Sequence, residues 1–254
     1  MHWLDQLGPL WFAALGTFVL HEAFYFGTHI FWLLTTYIPG ADRYKLQPKV
    51  QLSWSQQWKC LIQVLFNHLC IELPMMLAVE PVFGLDLQPP FPSAMHVAWV
   101  VLASFVLEDF YFYWIHRFLH WGPIYRHVHK LHHDYAAPTG MSAEYAHPVE
   151  TLFLGFGSML GPILCANHLF EVWVWLCFRL IQTVEVHNGY DFPWSPNNWV
   201  PFWGGAKFHD FHHERFTGNY SSTFIVWDAV FGTDRKYRDR LAQREKAAVD
   251  KKEE

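Results

Sequence analysis

Residues 116–133 read HRFLHWGPIYRHVHKLHH, and residues 209–213 read HDFHH. The first stretch contains an H-x-x-x-H pair and then an H-x-x-H-H group, and the second stretch is another H-x-x-H-H group. Residues three and four apart share a face of a helix, so we expect the imidazoles of each group to point the same way. The histidines of this pattern are His116, His120, His129, His132, His133, His209, His212 and His213.

The number of imidazoles predicts more than one metal ion. A zinc site closes with four ligands and an octahedral ion takes six, so these histidines suit two ions. An isolated histidine is more often a hydrogen-bonded core or surface residue, but three groups at repeated spacings favour ligands. Imidazole suits zinc, copper, iron and nickel. A His-rich pair of ions with room for dioxygen fits non-heme di-iron, while ligand type alone leaves copper and zinc open.

The composition indicates a membrane protein. Of the 254 residues, 52% are hydrophobic, and 16% are charged, against about 25% in a typical soluble domain. The net charge of −5 gives no reason to expect a nucleic-acid partner. The cysteines lie away from the histidine groups and form no C-x-x-C motif, which excludes a Cys-rich structural zinc site and favours reduced thiols. They are Cys60, Cys70, Cys165 and Cys177.

Apolar runs at residues 10–34, 60–79, 94–115 and 151–186 surround the histidine groups. The first run is long enough to cross a bilayer. It contains His21, Glu22 and His29, which mark either a functional path or polar contacts between packed helices. The sequence therefore leaves open whether the chain crosses the membrane four or five times. The basic connection at residues 35–59 is expected on the cytoplasmic side, and no cleavable signal peptide is expected in the chain.

The order of the runs predicts two membrane hairpins. Prolines 89, 90 and 92 separate the second and third runs, so the chain returns to the cytoplasmic side at His116. Histidine groups that share metals must lie on one side of the membrane, so residues 151–186 must cross an even number of times or dip in and return. A break near Gly161-Pro162 fits a second hairpin. The spacing Gly157-x-x-x-Gly161 predicts close helix packing and no nucleotide site. The predicted fold is all-α, with transmembrane hairpins and a cytosolic helical cap that holds the metals.

Three further residues are candidates for the site. Asp109 lies seven residues before His116, two helical turns back on the same face, and either orients a ligand imidazole or pairs with another group. His187 follows an apolar run directly and is predicted as a ninth ligand. His147 is interpreted as a further ligand or a group on the substrate side. His127, between Arg126 and the second group, is interpreted as structural.

The motifs and their neighbours resemble the superfamily of fatty acid hydroxylases and sterol desaturases, which are integral membrane di-iron enzymes. Within it, the chain is most similar to the C-4 methylsterol monooxygenases. The likeness runs from about residue 10 to about residue 237. The matching stretches are LED at 107–109, WIHRFLH at 114–120, HKLHHDYAAPTG at 129–140, AEYAHPVE at 143–150, VHNGYDFPWSP at 186–196, HDFHH at 209–213 and FGTD at 231–234.

The resemblance implies one catalytic domain embedded in the membrane at residues 1–237 and a charged cytosolic tail at 238–254. It implies that the eight histidines and His187 hold two irons, which zinc can replace on purification. The implied reaction oxidises the 4α-methyl group of a 4-methylsterol through alcohol and aldehyde to carboxylate. Each step uses O2 and electrons that pass from NAD(P)H through a reductase and cytochrome b5.

The resemblance also implies partners and a location. The implied partners are a sterol from the bilayer, membrane lipids, cytochrome b5 with its reductase, and other enzymes of C-4 demethylation. The final residues, KKEE, resemble a dilysine retrieval signal. This implies a multi-pass protein of the endoplasmic reticulum membrane, with its active site and C-terminus in the cytosol.

Other functions remain open at this stage. The same histidine groups serve sterol C-5 desaturation and hydroxylation of fatty acyl chains or sterol side chains, so the groups alone do not separate these reactions. An alternative of a different class is a membrane metal-binding or scaffold protein without catalysis.

Overall fold

The computed structural model describes residues 8–83 and 85–253. Residues 1–7, Gly84 and Glu254, the last residue of the predicted retrieval signal, lie outside the described residues. The regular structure of the described part is helical, which confirms the all-α class. The helices are α1 (Pro9–Thr35), α2 (Trp54–Asn67), α3 (Leu73–Phe83), α4 (Ala94–Leu119), α5 (Gly122–His127), α6 (Pro148–Cys165), α7 (Leu169–Val186), α8 (Gly205–Arg215), α9 (Val226–Phe231) and α10 (Arg235–Glu253).

The predicted apolar runs at 60–79 and 94–115 form two long helices with defined beginnings. Ser53 caps α2 in a capping box with Gln56, which satisfies backbone N–H groups that the first turn leaves free. Ser93 caps α4, where its hydroxyl accepts the N–H of His96. One π-helical turn, His68–Glu72, joins α2 to α3, so the second run is continuous.

Three stretches of helix in the described part are long and apolar enough to cross a membrane: Trp54–Ala78, Ala94–Leu119 and Pro148–Cys165. Their outer faces carry large apolar side chains, such as Leu69, Trp99 and Leu102, that are more than half exposed and suit contact with lipid. Helix α7 instead carries buried Glu171, Arg179 and Glu185. The arrangement as hairpins across a bilayer stays a prediction.

Helix α4 packs along α6, and α1 packs along α7 and α3. Two glycines of α6 allow α4 and α6 to approach each other closely. A Cβ atom at Gly161 would overlap the backbone of Ser104, and one at Gly157 would overlap the ring of Tyr111. The close packing predicted for this pair of glycines is confirmed, since a larger residue at either position would push the helices apart.

The break predicted near Gly161-Pro162 is wrong. Helix α6 continues through Pro162 to Cys165, and the chain turns at residues 166–168. Proline has no N–H, so it leaves the carbonyl of Ser158, four residues earlier, without its helical donor. The indole Nε1 of Trp175 on α7 donates to this carbonyl at 2.7 Å. Tertiary packing thus stabilises the helix at the point where its own hydrogen bonding is interrupted.

A core cluster positions the segment that carries the second histidine group. Tyr25 on α1 donates a hydrogen bond to the carbonyl of Met141, and Tyr135 donates to the carbonyl of Gln56 on α2. Both tyrosines are buried and belong to one hydrophobic cluster together with Val184 of α7. Residues 129–145 contain two short 3-10 helices, His129–Asp134 and Gly140–Glu144, and these contacts fix the segment against α1, α2 and α7.

Candidate metal centre

Four parts of the chain bring histidines together. His116 and His120 lie in the last turn of α4 and at its C-cap. The motif with His129, His132 and His133 lies in the 3-10 helix His129–Asp134. His187 is the C-cap residue of α7, and the motif at 209–213 lies in α8. All are buried except His120, which is partly exposed. Residues from four separate segments therefore point into one interior region.

Nine imidazoles form two groups, in each of which one ring nitrogen per residue lies within 4.8 Å of all the others. Group 1 consists of His116, His120, His129, His133 and His212, and group 2 consists of His132, His187, His209 and His213. The structure thus brings together the eight histidines of the sequence pattern and also His187, which was singled out by its position after an apolar run. Their role as ligands stays a prediction.

Each H-x-x-H-H motif is divided between the two groups. In the second motif, His129 and His133 belong to group 1 and His132 to group 2; in the third motif, His209 and His213 belong to group 2 and His212 to group 1. The two members four apart stay close, with their Nε2 atoms 3.2 Å apart in the second motif and 3.1 Å apart in the third. The motifs thus cross over, and each contributes to both groups.

Backbone carbonyls and one carboxylate fix most of these rings through Nδ1. A carbonyl oxygen accepts only, so a ring nitrogen that faces one carries the proton. The Nδ1 contacts are His116 to Tyr220 O at 2.8 Å, His132 to Tyr145 O at 3.0 Å, His187 to Thr183 O at 2.7 Å, His212 to Gly218 O at 2.6 Å, His213 to Tyr135 O at 3.0 Å, and His129 to Glu150 Oε1 at 2.8 Å. Such partners are typical of metal-ligating histidines.

The Nε2 atoms of these rings then face one another as unprotonated acceptors. The Nε2 atoms of His116 and His129 are 3.0 Å apart, although both rings carry their proton on Nδ1. Two lone pairs cannot share a hydrogen bond, so this short distance needs another explanation. Ligand atoms that surround one metal ion at 2.0–2.1 Å lie about 3.3 Å from each other. The donor set and its spacing therefore fit a cation in each group.

Burial keeps the rings neutral. Because the interior disfavours a charged imidazole, it lowers the pKa of His129, His187 and His212 to about 3. Burial also lowers the pKa of His120 and His133, and nearby imidazoles lower it further. At neutral pH the lone pairs on Nε2 are free to bind metal, since no proton has to be removed first.

The carboxylate that contacts a ring of the site is Glu150 of α6. Its Oε1 lies 2.8 Å from His129 Nδ1, and both side chains are 1% exposed. The sequence argument had named Asp109 for such a role. Asp109 Oδ1 instead accepts the backbone N–H groups of Thr223 and Phe224, because α4 turns that side chain toward the segment after the third motif.

His147, the other additional candidate, belongs to neither group. It is the N-cap residue of α6, where its Nδ1 accepts the backbone N–H of Val149. This contact positions the start of the helix that carries Glu150. His127, interpreted as structural, is exposed on the surface.

The loop after α8 is a part of the site that sequence reasoning missed. The carboxylate of Asp228 accepts the backbone N–H groups of Tyr220 and Ser221, and the carbonyls of Tyr220 and Gly218 hold two rings of group 1. Gly218 has a φ of +82° and lies against the carbonyl of Thr233, where a Cβ atom would overlap. The sequence pointed to this contact only indirectly, because the F-G-T-D stretch at 231–234, which contains Thr233, matches the family pattern.

A cavity adjoins both groups. It is lined by His116 and His129 of group 1 and by His132, His187 and His209 of group 2. The remaining wall is apolar over much of its surface, with side chains such as Phe112, Leu154 and Leu180. It also carries ionisable groups: His21, Glu72, Glu144, Glu150 and Arg179. The cavity therefore places a bound ligand next to histidines of both groups.

Comparison with known proteins agrees with this arrangement. The family described as Fatty acid hydroxylase matches residues 101–233. This range includes the nine histidines of groups 1 and 2. The chain belongs to the fatty acid hydroxylase family. It is therefore an enzyme, an oxidoreductase whose family relies on a metal.

The similarity to individual relatives extends over nearly the whole chain. A Dictyostelium discoideum protein provisionally named a methylsterol monooxygenase is 49% identical over 98% of this chain and 94% of its own length. The C-4 methylsterol oxidase of Schizosaccharomyces pombe is 43% identical over 91% of this chain and 79% of its own. A protein of Oryza sativa subsp. indica named a very-long-chain aldehyde decarbonylase is 46% identical over 92% and 89%. No solved structure matches.

Proposed function

We propose that this enzyme is a di-iron sterol C-4 methyl monooxygenase. It converts the 4α-methyl group of a 4-methylsterol to the alcohol, then to the aldehyde and finally to the carboxylate. The observation that carries the proposal is the convergence of two groups of neutral imidazoles on one apolar cavity. The names of the relatives from Dictyostelium discoideum and Schizosaccharomyces pombe support the choice of substrate.

The reaction requires an oxidant stronger than any side chain. An unactivated methyl C–H bond offers no acid-base or nucleophilic route, so a metal has to supply the oxidising chemistry. Two bound irons would supply it by activating O2. In the first step the methyl compound, O2, two electrons and two protons give the alcohol and one water. The alcohol and the aldehyde are oxidised with the same balance of O2, electrons and protons.

The chain's own residues prepare the site for this chemistry. Buried carbonyls and Glu150 hold the Nδ1 protons, so that Nε2 of each fixed ring is directed inward. The apolar wall of the cavity receives the ring system of a sterol and excludes water, which limits side reactions of the oxidant. Helices α2, α4 and α6 expose apolar faces, so the substrate would enter from the bilayer.

Electrons are proposed to come from NAD(P)H through a reductase and cytochrome b5. The exposed cations Arg117, Arg126 and Lys130 lie within three residues of predicted ligands. They would attract an acidic donor to this face, because complementary charge raises association rates. We place the enzyme in the endoplasmic reticulum membrane with this face in the cytosol, where such a donor would reach it.

A second candidate follows from the relative in Oryza sativa subsp. indica, named an aldehyde decarbonylase. The histidine groups and the apolar cavity also suit a long-chain aldehyde. The aldehyde step of the proposed sterol reaction has the same functional group. The two candidates differ in the fate of the carbon, which is retained as a carboxylate in one and lost from the chain in the other.

Product analysis tests the proposal. The purified enzyme would be loaded with ferrous iron in lipid nanodiscs and given cytochrome b5, its reductase, NADH and a 4-methylsterol. We expect mass spectrometry to find the 4-hydroxymethyl, 4-formyl and 4-carboxy sterols in that order, with none from His132→Ala. An unchanged sterol, together with conversion of a long-chain aldehyde to a shortened hydrocarbon, would favour the second candidate and reject the first.

A further inference from the structure

A separate cluster of histidine and glutamate side chains lies outside both imidazole groups. His21 comes from α1, His68 and Glu72 from the π-helical turn between α2 and α3, and Glu144 from the 3-10 helix Gly140–Glu144. One nitrogen or oxygen atom from each of the four lies within 4.8 Å of all the others. We propose that this cluster is a third metal site, which binds one divalent transition-metal ion such as zinc or iron.

The nitrogen and oxygen atoms of the cluster lie within hydrogen-bonding distance of one another, close to the spacing of ligands that share one ion. His21 Nε2 lies 3.0 Å from Glu72 Oε2 and 3.6 Å from Glu144 Oε1, and His68 Nε2 lies 2.8 Å from Glu144 Oε2. Four ligand atoms around a tetrahedral ion at 2.0–2.2 Å are about 3.3–3.6 Å apart, so an ion would move the two shorter contacts apart by about 0.3–0.5 Å. Two imidazoles and two carboxylates form a donor set of borderline hardness, which selects zinc and divalent iron over calcium or magnesium.

A fifth residue, Glu22, resembles the partners that orient the rings of the other two groups. Its Oε1 lies 3.1 Å from His21 Nδ1, within hydrogen-bond geometry. The same oxygen lies 2.7 Å from His68 Nδ1, although the ring N–H of His68 is not aligned with it. When Nδ1 carries the proton, Nε2 presents its lone pair toward Glu72 and Glu144. This is the arrangement that Glu150 gives to His129.

The charges of the cluster require compensation. Three carboxylates, from Glu22, Glu72 and Glu144, lie around His21 and His68, which are at most 3% exposed; Glu72 is buried, while Glu22 and Glu144 are partly exposed. Buried carboxylates need a paired positive charge. Either two protons on the histidines or one divalent ion leaves the same net charge of −1. A proton-based network of ion pairs is therefore the alternative that an experiment must separate from a metal site.

The position of the cluster gives the ion a role beside the di-metal centre. His21, Glu72 and Glu144 line the same cavity as His116 and His132. Glu144 directly precedes Tyr145, whose carbonyl accepts the Nδ1 proton of His132. An ion here would join α1, the π-helical turn and the segment that positions group 2. Single π-helical turns within α-helices frequently occur at functional sites. The proposal does not depend on which lipid the enzyme oxidises.

Metal counting tests the site. The intact enzyme would be equilibrated with zinc, freed of excess ion and measured by inductively coupled plasma mass spectrometry against protein concentration. We expect three ions per chain for the wild type and two for the double variant Glu72→Gln, Glu144→Gln, which keeps the side-chain size but removes two charges. Glu171→Gln, a buried carboxylate outside the cavity, is the matched control and should keep three.

Localising the ions decides the matter even where the double variant does not fold. Anomalous scattering at the zinc edge from wild-type crystals should give a peak between His21, His68, Glu72 and Glu144, in addition to those in the two imidazole groups. Two ions per chain in the wild type, with no peak at this cluster, would overturn the proposal and identify the cluster as a network of ion pairs.

Discussion

His129 and Glu150 form a buried pair in which the ring Nδ1 lies 2.8 Å from the carboxylate Oε1. The contact joins the second histidine motif to α6, the helix that packs along α4. It couples the position of a predicted ligand to the packing of two helices that are apolar enough to cross a membrane. Loss of the carboxylate should therefore weaken metal binding before it weakens the fold.

Replacement of Glu150 tests this coupling. Partners of ligand histidines typically change metal affinity or activity by about 10–100-fold when they are removed. We expect Glu150→Ala to lose affinity within this range and Glu150→Gln to lose less, since its amide oxygen still accepts the Nδ1 proton. Metal titration and turnover are the measurements, and Glu171→Gln is the control. Equal affinity in Glu150→Ala and the wild type would contradict the role of this pair.

The division of the motifs predicts that adjacent histidines serve different ions. His132 belongs to group 2 and His133 to group 1. We expect His132→Ala to lose the ion of group 2 and to keep that of group 1, and His133→Ala to do the reverse. Anomalous scattering from zinc-loaded crystals measures each occupancy separately. Loss of the same ion in both variants would show that the motifs are not divided in this way.

Acid should destabilise the metal-free enzyme. The folded pKa of His187 is about 3, against about 6.5 in an unfolded chain. The unfolded state therefore binds more protons between these values, so the free energy of unfolding is highest above about pH 6.5 and falls as the pH decreases toward about 3. Each such group contributes a slope of up to about 1.4 kcal/mol per pH unit.

The slope can be assigned to individual rings. We expect His187→Gln to reduce the slope of unfolding free energy against pH by about one such contribution in chelator-treated protein. Denaturant unfolding at several pH values between about 4 and 6.5, where the unfolded state binds more protons, measures it. His127→Gln, at an exposed position, is the control and should leave the slope unchanged. The same slope in His187→Gln as in the wild type would contradict neutral burial of this ring.

The contact between α4 and α6 predicts that one added methyl group lowers the stability of the fold strongly. Gly161→Ala places a Cβ atom against the backbone of Ser104, which cannot rotate away, and overpacking of this kind costs about 1–3 kcal/mol or more. Gly27 of α1 has no atom within 4 Å of an added Cβ, and Gly27→Ala should stabilise by about 0.5–1 kcal/mol. Thermal unfolding in detergent compares the two. Equal melting temperatures would contradict the close approach of these helices.

The sequence was sufficient for the long helices and for the set of histidines that the structure brings together. Apolar length predicts α4 and the helix from α2 to α3, and the position of His187 directly after an apolar run was enough to add it to the eight histidines. These features depend on local pattern. The division of the motifs does not, because it depends on which imidazoles from other segments meet each ring, and the motif in the 3-10 helix at 129–134 and the motif in α8 are divided in the same way.

Other features depend on contacts between residues far apart in the chain. Spacing along α4 favoured Asp109 as a partner of an imidazole, but the role falls to Glu150, whose direction is set by the packing of α6. The continuation of α6 through Pro162 depends on an indole from α7. The cluster around His21 and Glu144 joins residues more than 100 positions apart, and no local motif relates them.

Sterol profiling in cells tests the central claim most directly. A host that lacks its own C-4 methylsterol oxidase would express the wild-type chain, His132→Ala, or His127→Ala as a control at an exposed histidine. We predict that 4-methylsterols disappear with the wild type and His127→Ala and accumulate with His132→Ala at equal protein levels. If 4-methylsterols accumulate with the wild type as they do with His132→Ala, while another lipid is hydroxylated, desaturated or shortened, the proposed substrate is wrong.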